Sequence, residues 1–211
     1  MSTHSPTQTH ENNPDQAFLE IVYIFVVPVA LIYIGIIPYS WRLLVLLGFS
    51  LLIMSIIRYQ HWNKVQLGLS KLFRPRAIVA YGLFTFVGVL SIIYYAKRFG
   101  FDPIDITDWQ KSWQLFLFFI PLSVLQEVAY RGFLAQRLRE ISTNIPHRLL
   151  LNALLFTLLH IIYPYAVLTL PIAFVGGFIF AWIYERYPDL ILICITHSIL
   201  NFTAVMFGLF S

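Results

Sequence analysis

Three short patterns in the second half of this 211-residue chain set a polar side chain four residues from a partner within apolar sequence. The first runs from Leu125 to Phe133 and holds Gln126, Glu127 and Arg131. The second pairs Phe156 with His160, and the third pairs His197 with Asn201. Residues at i and i+4 share a helix face, so each pattern presents its pair in one direction. A carboxylate and two imidazoles can accept and return protons near neutral pH. A carboxamide can donate to the charge that develops on a carbonyl oxygen during acyl transfer. Together these groups could activate water against an acyl carbon. Glu127, His160 and His197 also match a known zinc ligand set. The helix-borne pair of histidines that usually completes such a site is missing, however, and Arg131 competes for Glu127. Neither a metal nor any other cofactor is expected.

The elements that hold these residues must be membrane helices. The chain is 59% hydrophobic and 11% charged, with a mean hydropathy of +0.75. A soluble domain carries roughly 25% charged residues. Irregular backbone cannot face lipid, so apolar runs of this length are read as helices. The expected fold is an all-α polytopic bundle of about seven spans, near 17–39, 42–57, 78–95, 112–134, 148–162, 165–184 and 189–210. The second and fifth runs are short for a span, and loop residues are expected to extend them. Residues 1–16 form a polar tail without Lys or Arg, which lacks the basic start of a secretory signal. Residues 17–107 read as accessory helices and 108–211 as the catalytic core. The net charge of +4 is loop charge beside lipid headgroups, and no nucleic-acid partner is expected. Cys194 is the single cysteine, so no intrachain disulfide can form.

Charged residues within spans cost about 2.5–3.5 kcal/mol each at the centre of an inserting helix, so they mark function or pairing. At about 1.5 Å per residue, Glu127 lies roughly 16 Å from the end of its helix near Leu138, and His160 about 18 Å from Arg148. By the same rise His197 and Asn201 fall about 12 and 18 Å from Asp189. The carboxylate, the imidazoles and the carboxamide therefore reach a similar depth. Glu20 reads as structural, Asn152 as a support for His160, and Gly176-Gly177 as ordinary helix packing.

These patterns closely resemble the CAAX-protease and bacteriocin-processing (CPBP, or Abi) family of integral membrane endopeptidases. The family motifs are Glu-Glu-x-x-x-Arg, Phe-x-x-x-His and His-x-x-x-Asn. They are matched here by Gln126-Glu127 with Arg131, by Phe156 with His160, and by His197 with Asn201. Arg131-Gly132-Phe133 and Leu67-Gly68-Leu69 are also similar to family sequences. The resemblance implies a glutamic intramembrane protease acting on a peptide or a lipidated protein within the bilayer. It implies that His160 activates water with the first motif glutamate, that His197 and Asn201 stabilise the oxyanion, and that Arg131 anchors Glu127. The chain departs from the motif at Gln126, which stands where the family carries that glutamate. An amide cannot accept a proton at neutral pH. Two readings follow: Glu127 becomes the base, or the chain is an inactive immunity or peptide-binding protein.

Lys and Arg give the orientation. Arg58, Lys64, Lys71, Arg74, Arg76, Arg137, Arg139, Arg148 and Arg186 fall on one side, and only Arg42, Lys97, Arg98 and Lys111 on the other. The first side is expected to be cytoplasmic, with the N-terminus inside and the C-terminus outside. Ser5→Cys and Ser211→Cys, made separately in a Cys194→Ala background, should then differ toward an impermeant maleimide on intact cells. Position 211 should label and position 5 should not; the reverse pattern would invert the orientation.

Overall fold

A computed structural model describes residues 13–103, 119–163 and 165–209. Ser5, Ser211 and most of the polar tail lie outside these residues. Asn13 accepts a hydrogen bond from the Gln16 amide and Pro14 occupies the first turn, so α1 (Pro14–Tyr33) starts inside the expected tail. It ends six residues before the expected boundary. Gly35 takes a left-handed φ of 81°, and Pro38 cannot continue the helix. The short second and fifth runs are extended as expected, into α2 (Tyr39–Tyr59) and α5 (Ile145–Ile162). The rest of the bundle is α3 (Pro75–Arg98), α4 (described over 119–141), α6 (Ala166–Arg186) and α7 (Leu190–Met206). Asn144 caps α5 and Asp189 caps α7, each accepting from the backbone amide three residues on. The protein is an all-α membrane helix bundle, and the described residues contain no strand.

Five of these helices are long and apolar enough to cross a bilayer, and α7 is a shorter apolar helix. Their outer faces carry exposed Leu51, Val79, Leu83 and Phe86, an arrangement that suits lipid and not water. Inside, the apolar side chains form two clusters. One joins α1, α2, α4 and α5 around Phe25, Ile53, Phe133 and Phe156. The other joins α3, α6 and α7 around Tyr81, Phe180, Tyr184 and Ile193. Helix α4 serves both, contributing Phe133 and Leu134 to the first and packing Val128 and Ala135 against the second.

The charged loops gather at one end of the bundle. Arg137 is buried between the rings of Trp62 and Phe133, at 5.0 and 5.2 Å. It reaches Glu20 at 2.7 Å, Glu140 at 2.8 Å and Gln60 at 2.5 Å, and so ties the starts and ends of α1, α2 and α4 together. Glu20 thus takes the structural role expected of it. Glu185 holds both Arg139 and Arg148, at 2.9 and 2.6 Å. Alternating helices bring the start of α1, the 60–74 loop and the turns after α4 and α6 to one end, as the charge pattern requires.

Candidate active site

Within this frame the three patterns converge. Helix α4 opens into a wider π-helical turn, Val128–Leu134, directly after Glu127. Such turns are rare and often mark functional sites. Glu127 and Arg131 straddle its start, and both are buried almost completely. Arg131 Nε contacts Glu127 Oε2 at 3.3 Å, and Arg131 Nη1 donates to Glu127 Oε1 at 3.4 Å. Its Nη2 donates to the Gly177 carbonyl at 3.1 Å. The guanidinium lies over the rings of Phe156 and Phe180, at 4.8 and 5.2 Å. A cation with an anion, a carbonyl and aromatic faces around it can be held in an apolar interior at an acceptable cost.

Glu127 Oε1 also receives a contact from α7, while Oε2 has the Arg131 ion pair but no hydrogen bond. His197 Nδ1 donates to Glu127 Oε1 at 2.5 Å, and the imidazole packs at a tilt against the rings of Phe156 and Phe180. A carboxylate acceptor requires the proton on Nδ1. Since Arg131 already balances Glu127, a neutral imidazole keeps the cluster neutral and leaves a lone pair on Nε2.

His160 repeats this arrangement with a different partner. It sits in the 3₁₀ turn that ends α5, where its Nδ1 donates to the Phe156 carbonyl at 3.0 Å. The carbonyl can only accept, so in the neutral ring Nε2 again carries the lone pair. Asn201 donates to Ser123 Oγ at 3.0 Å, which fixes the plane of its carboxamide.

Three linked spaces meet at these residues. A chamber of about 20 Å³ is walled by Gln126, His160, Tyr163 and Asn201, and a space of that size admits one water molecule. On its inner side His160 and Asn201 are shared with a cavity of about 70 Å³ that also reaches His197 and Phe156. On its outer side Gln126, Leu122 and Tyr163 are shared with an apolar groove of about 90 Å³ between α1, α2 and α4. Burial pushes the Tyr163 phenol up from its ordinary range, so it stands in this wall as a neutral hydroxyl.

The sequence-expected residues are thus brought together, but in two ranks. Gln126, His160 and Asn201 wall the chamber, and His197 walls the adjoining cavity. Glu127 and Arg131 stand behind them and line neither space. Asn152 does not support His160: its amide donates to the Tyr130 carbonyl at 3.0 Å. Ser123, Tyr163 and the Gly177 carbonyl were not singled out from the sequence. A serine four residues before Glu127 sits only about 40° from it around a helix, which was the one available signal for Ser123. Among the described residues no group of three or more His, Cys, Asp or Glu side chains is placed to hold a metal.

Residues 108–203 match the family model described as type II CAAX prenyl endopeptidase Rce1-like. Over this stretch the chain is similar to the CAAX protease family. No curated protein and no solved structure matches it. The family match spans α4 to α7, the helices that supply every wall residue of the chamber.

The glycine pair in α6 gives a test of this packing. A Cβ on Gly177 would stand 2.8 Å from the Phe156 ring, while one on Gly176 would meet nothing within 4 Å. Gly177→Ala should destabilise the detergent-solubilised protein by about 1–3 kcal/mol, the usual range for overpacking. Gly176→Ala should melt as wild type does. Equal melting temperatures for both variants would show that Phe156 is not held against α6.

Proposed function

We propose that this protein is an intramembrane endopeptidase that cleaves a peptide bond of a membrane-associated or lipidated substrate, as its similarity to the CAAX protease family suggests. One observation carries the reading: a water-sized chamber inside the bundle is walled by His160, Gln126 and Asn201 and abuts an apolar groove. A substrate anchored by an apolar segment would lie in the groove and bring its peptide bond to the chamber. The candidate substrates are a lipidated C-terminus of CAAX type and a leader or sorting-signal tail.

In this reading the bundle's own residues divide the work. His160 Nε2 accepts the proton of the attacking water, and His197 Nε2 accepts a hydrogen bond from its other hydrogen. With both hydrogens held at fixed positions, the water's lone pairs are turned toward the scissile carbon. Asn201 donates to the oxyanion. Glu127 acts through His197, because it lines neither the chamber nor the adjoining cavity and its Oε1 is held by Arg131 and His197. Arg131 pairs with Glu127 and fixes its position. The N-terminus is proposed to be cytoplasmic, from the charge distribution.

The second reading, a peptide-binding or immunity protein that keeps the fold without cleavage, is motivated by Gln126. The two separate in a fluorogenic cleavage assay with membrane-anchored peptides. Wild type should cleave, and His160→Ala should lose about 10²–10⁴-fold, the usual worth of a positioned base. Identical background from both, with peptide still bound, would favour the binder.

A further inference from the structure

We propose that the loop joining α2 to α3, with Arg186 beside it, is a binding surface for anionic phospholipid headgroups, and that headgroups bound there steady the start of α7. The inference stands apart from the endopeptidase reading.

The basic residues at this end of the bundle divide into two sets. Arg137, Arg139 and Arg148 are each matched by a carboxylate, from Glu20, Glu140 or Glu185. Arg58, Lys64, Lys71, Arg74, Arg76 and Arg186 are all exposed, and among the described residues none of the six has an ion-pair partner. The sequence gives the five loop cations no neutralising neighbour, because no Asp or Glu occurs from residue 21 to residue 101. The carboxylate that touches the loop is Asp189. It is buried and spends both oxygens on backbone amides, those of Phe73 at 2.6 Å and Leu192 at 3.0 Å. Asp189 clasps the loop without neutralising it.

The loop is also built to hold its cations in place. Asn63 Oδ1 accepts from the Val65 and Gln66 amides, and Gln66 Oε1 accepts from the Asn63 amide at 2.7 Å. The backbone takes left-handed φ values at His61, Gly68 and Phe73. A Cβ at Gly68 would collide with the Tyr184 hydroxyl. Leu67 packs on the first apolar cluster and Leu69 on the second, so the loop crosses the end of the bundle as a strap. Its cations are spread along that strap and interleaved with exposed Tyr59, Val65 and Phe73. A single small anion would meet one or two of them. A layer of headgroups meets them all, and the same boundary accommodates aromatic and aliphatic side chains. Basic residues beside a membrane segment attract anionic lipid in this way.

The strap reaches the site through α7. The Leu190 amide donates to the Gly68 carbonyl at 3.0 Å, and Asp189, which caps α7, holds the Phe73 amide. His197 lies about two turns further along the same helix. Headgroups that hold the strap against the bundle therefore hold the helix that presents His197 and Asn201.

The test is a lipid titration of the purified full chain in neutral detergent, with phosphatidylglycerol compared against phosphatidylcholine. Phosphatidylglycerol should raise the melting temperature and slow hydrogen exchange at the Phe73 and Leu190 amides, and phosphatidylcholine should do neither. The rise should shrink as salt is added. In a fourfold variant carrying Lys64→Gln, Lys71→Gln, Arg74→Gln and Arg76→Gln, apparent affinity for phosphatidylglycerol should fall about fivefold per cation removed, the usual worth of one basic residue beside an anionic surface. Lys97→Gln with Arg98→Gln removes two exposed cations from the far end of α3 and should leave that affinity unchanged. If the fourfold variant fails to fold, Lys64→Gln with Lys71→Gln decides, with an expected loss of about 25-fold. Equal responses to the two lipids would overturn the assignment, as would an undiminished response in a folded strap variant. Soluble polyglutamate that matched phosphatidylglycerol would overturn it in favour of an acidic protein partner. A raised melting temperature without slower exchange at Leu190 would overturn the link to α7.

Discussion

The helices that form the site are arranged around a buried ion pair. Glu127 and Arg131 lie inside an apolar bundle, where each charge alone would cost several kcal/mol to keep out of water. The cost is offset because Arg131 meets a carboxylate, the Gly177 carbonyl and two aromatic faces, while Glu127 also receives the His197 proton. Beyond the pair itself, these contacts come from three other helices. Arg131 draws α6 to α4 through Gly177, Glu127 draws α7 to α4 through His197, and Phe156 brings α5 over the guanidinium. Gly177 must be glycine because the Phe156 ring occupies the place of its Cβ. The ion pair therefore acts as a polar pin, and the chamber is the space left beside it.

The same pin gives the site its chemistry. Two histidines that would otherwise be free to choose a tautomer are each held through Nδ1, one by a carboxylate and one by a backbone carbonyl. Both then offer the same nitrogen to the cavities next to Asn201. A membrane interior makes such fixing valuable, because no bulk water is present to reorganise around a developing charge. The apolar groove beside Gln126 adds a place for an apolar substrate segment without exposing the ion pair behind it.

Much of this was legible in the sequence. Apolar runs of membrane length specified helices, since no other backbone form can face lipid, and the i, i+4 spacings put each polar pair on one face. Depth counted from the loop charges brought the patterns to one level. What stayed hidden depends on how neighbouring helices are rotated about their axes. Gln126 and Glu127 are adjacent in sequence but about 100° apart around a helix, so only the packed bundle decides which one meets the chamber. The contact between Glu127 and His197 joins residues 70 positions apart, and no local pattern encodes it. The end of α1 was placed late because an apolar run continues past Tyr33, while the left-handed turn at Gly35 stops the helix within it.

The central claim is that Glu127 holds His197 by its Nδ1 proton and turns Nε2 toward the cavities. Nitrogen-15 NMR of histidine-labelled protein tests this most directly, with the His197 signals identified by their loss in His197→Asn. The account predicts a protonated Nδ1 and an unprotonated Nε2 for His197 in wild type, and loss of that fixed tautomer in Glu127→Ala. A protonated Nε2 beside a bare Nδ1 in wild type would contradict it.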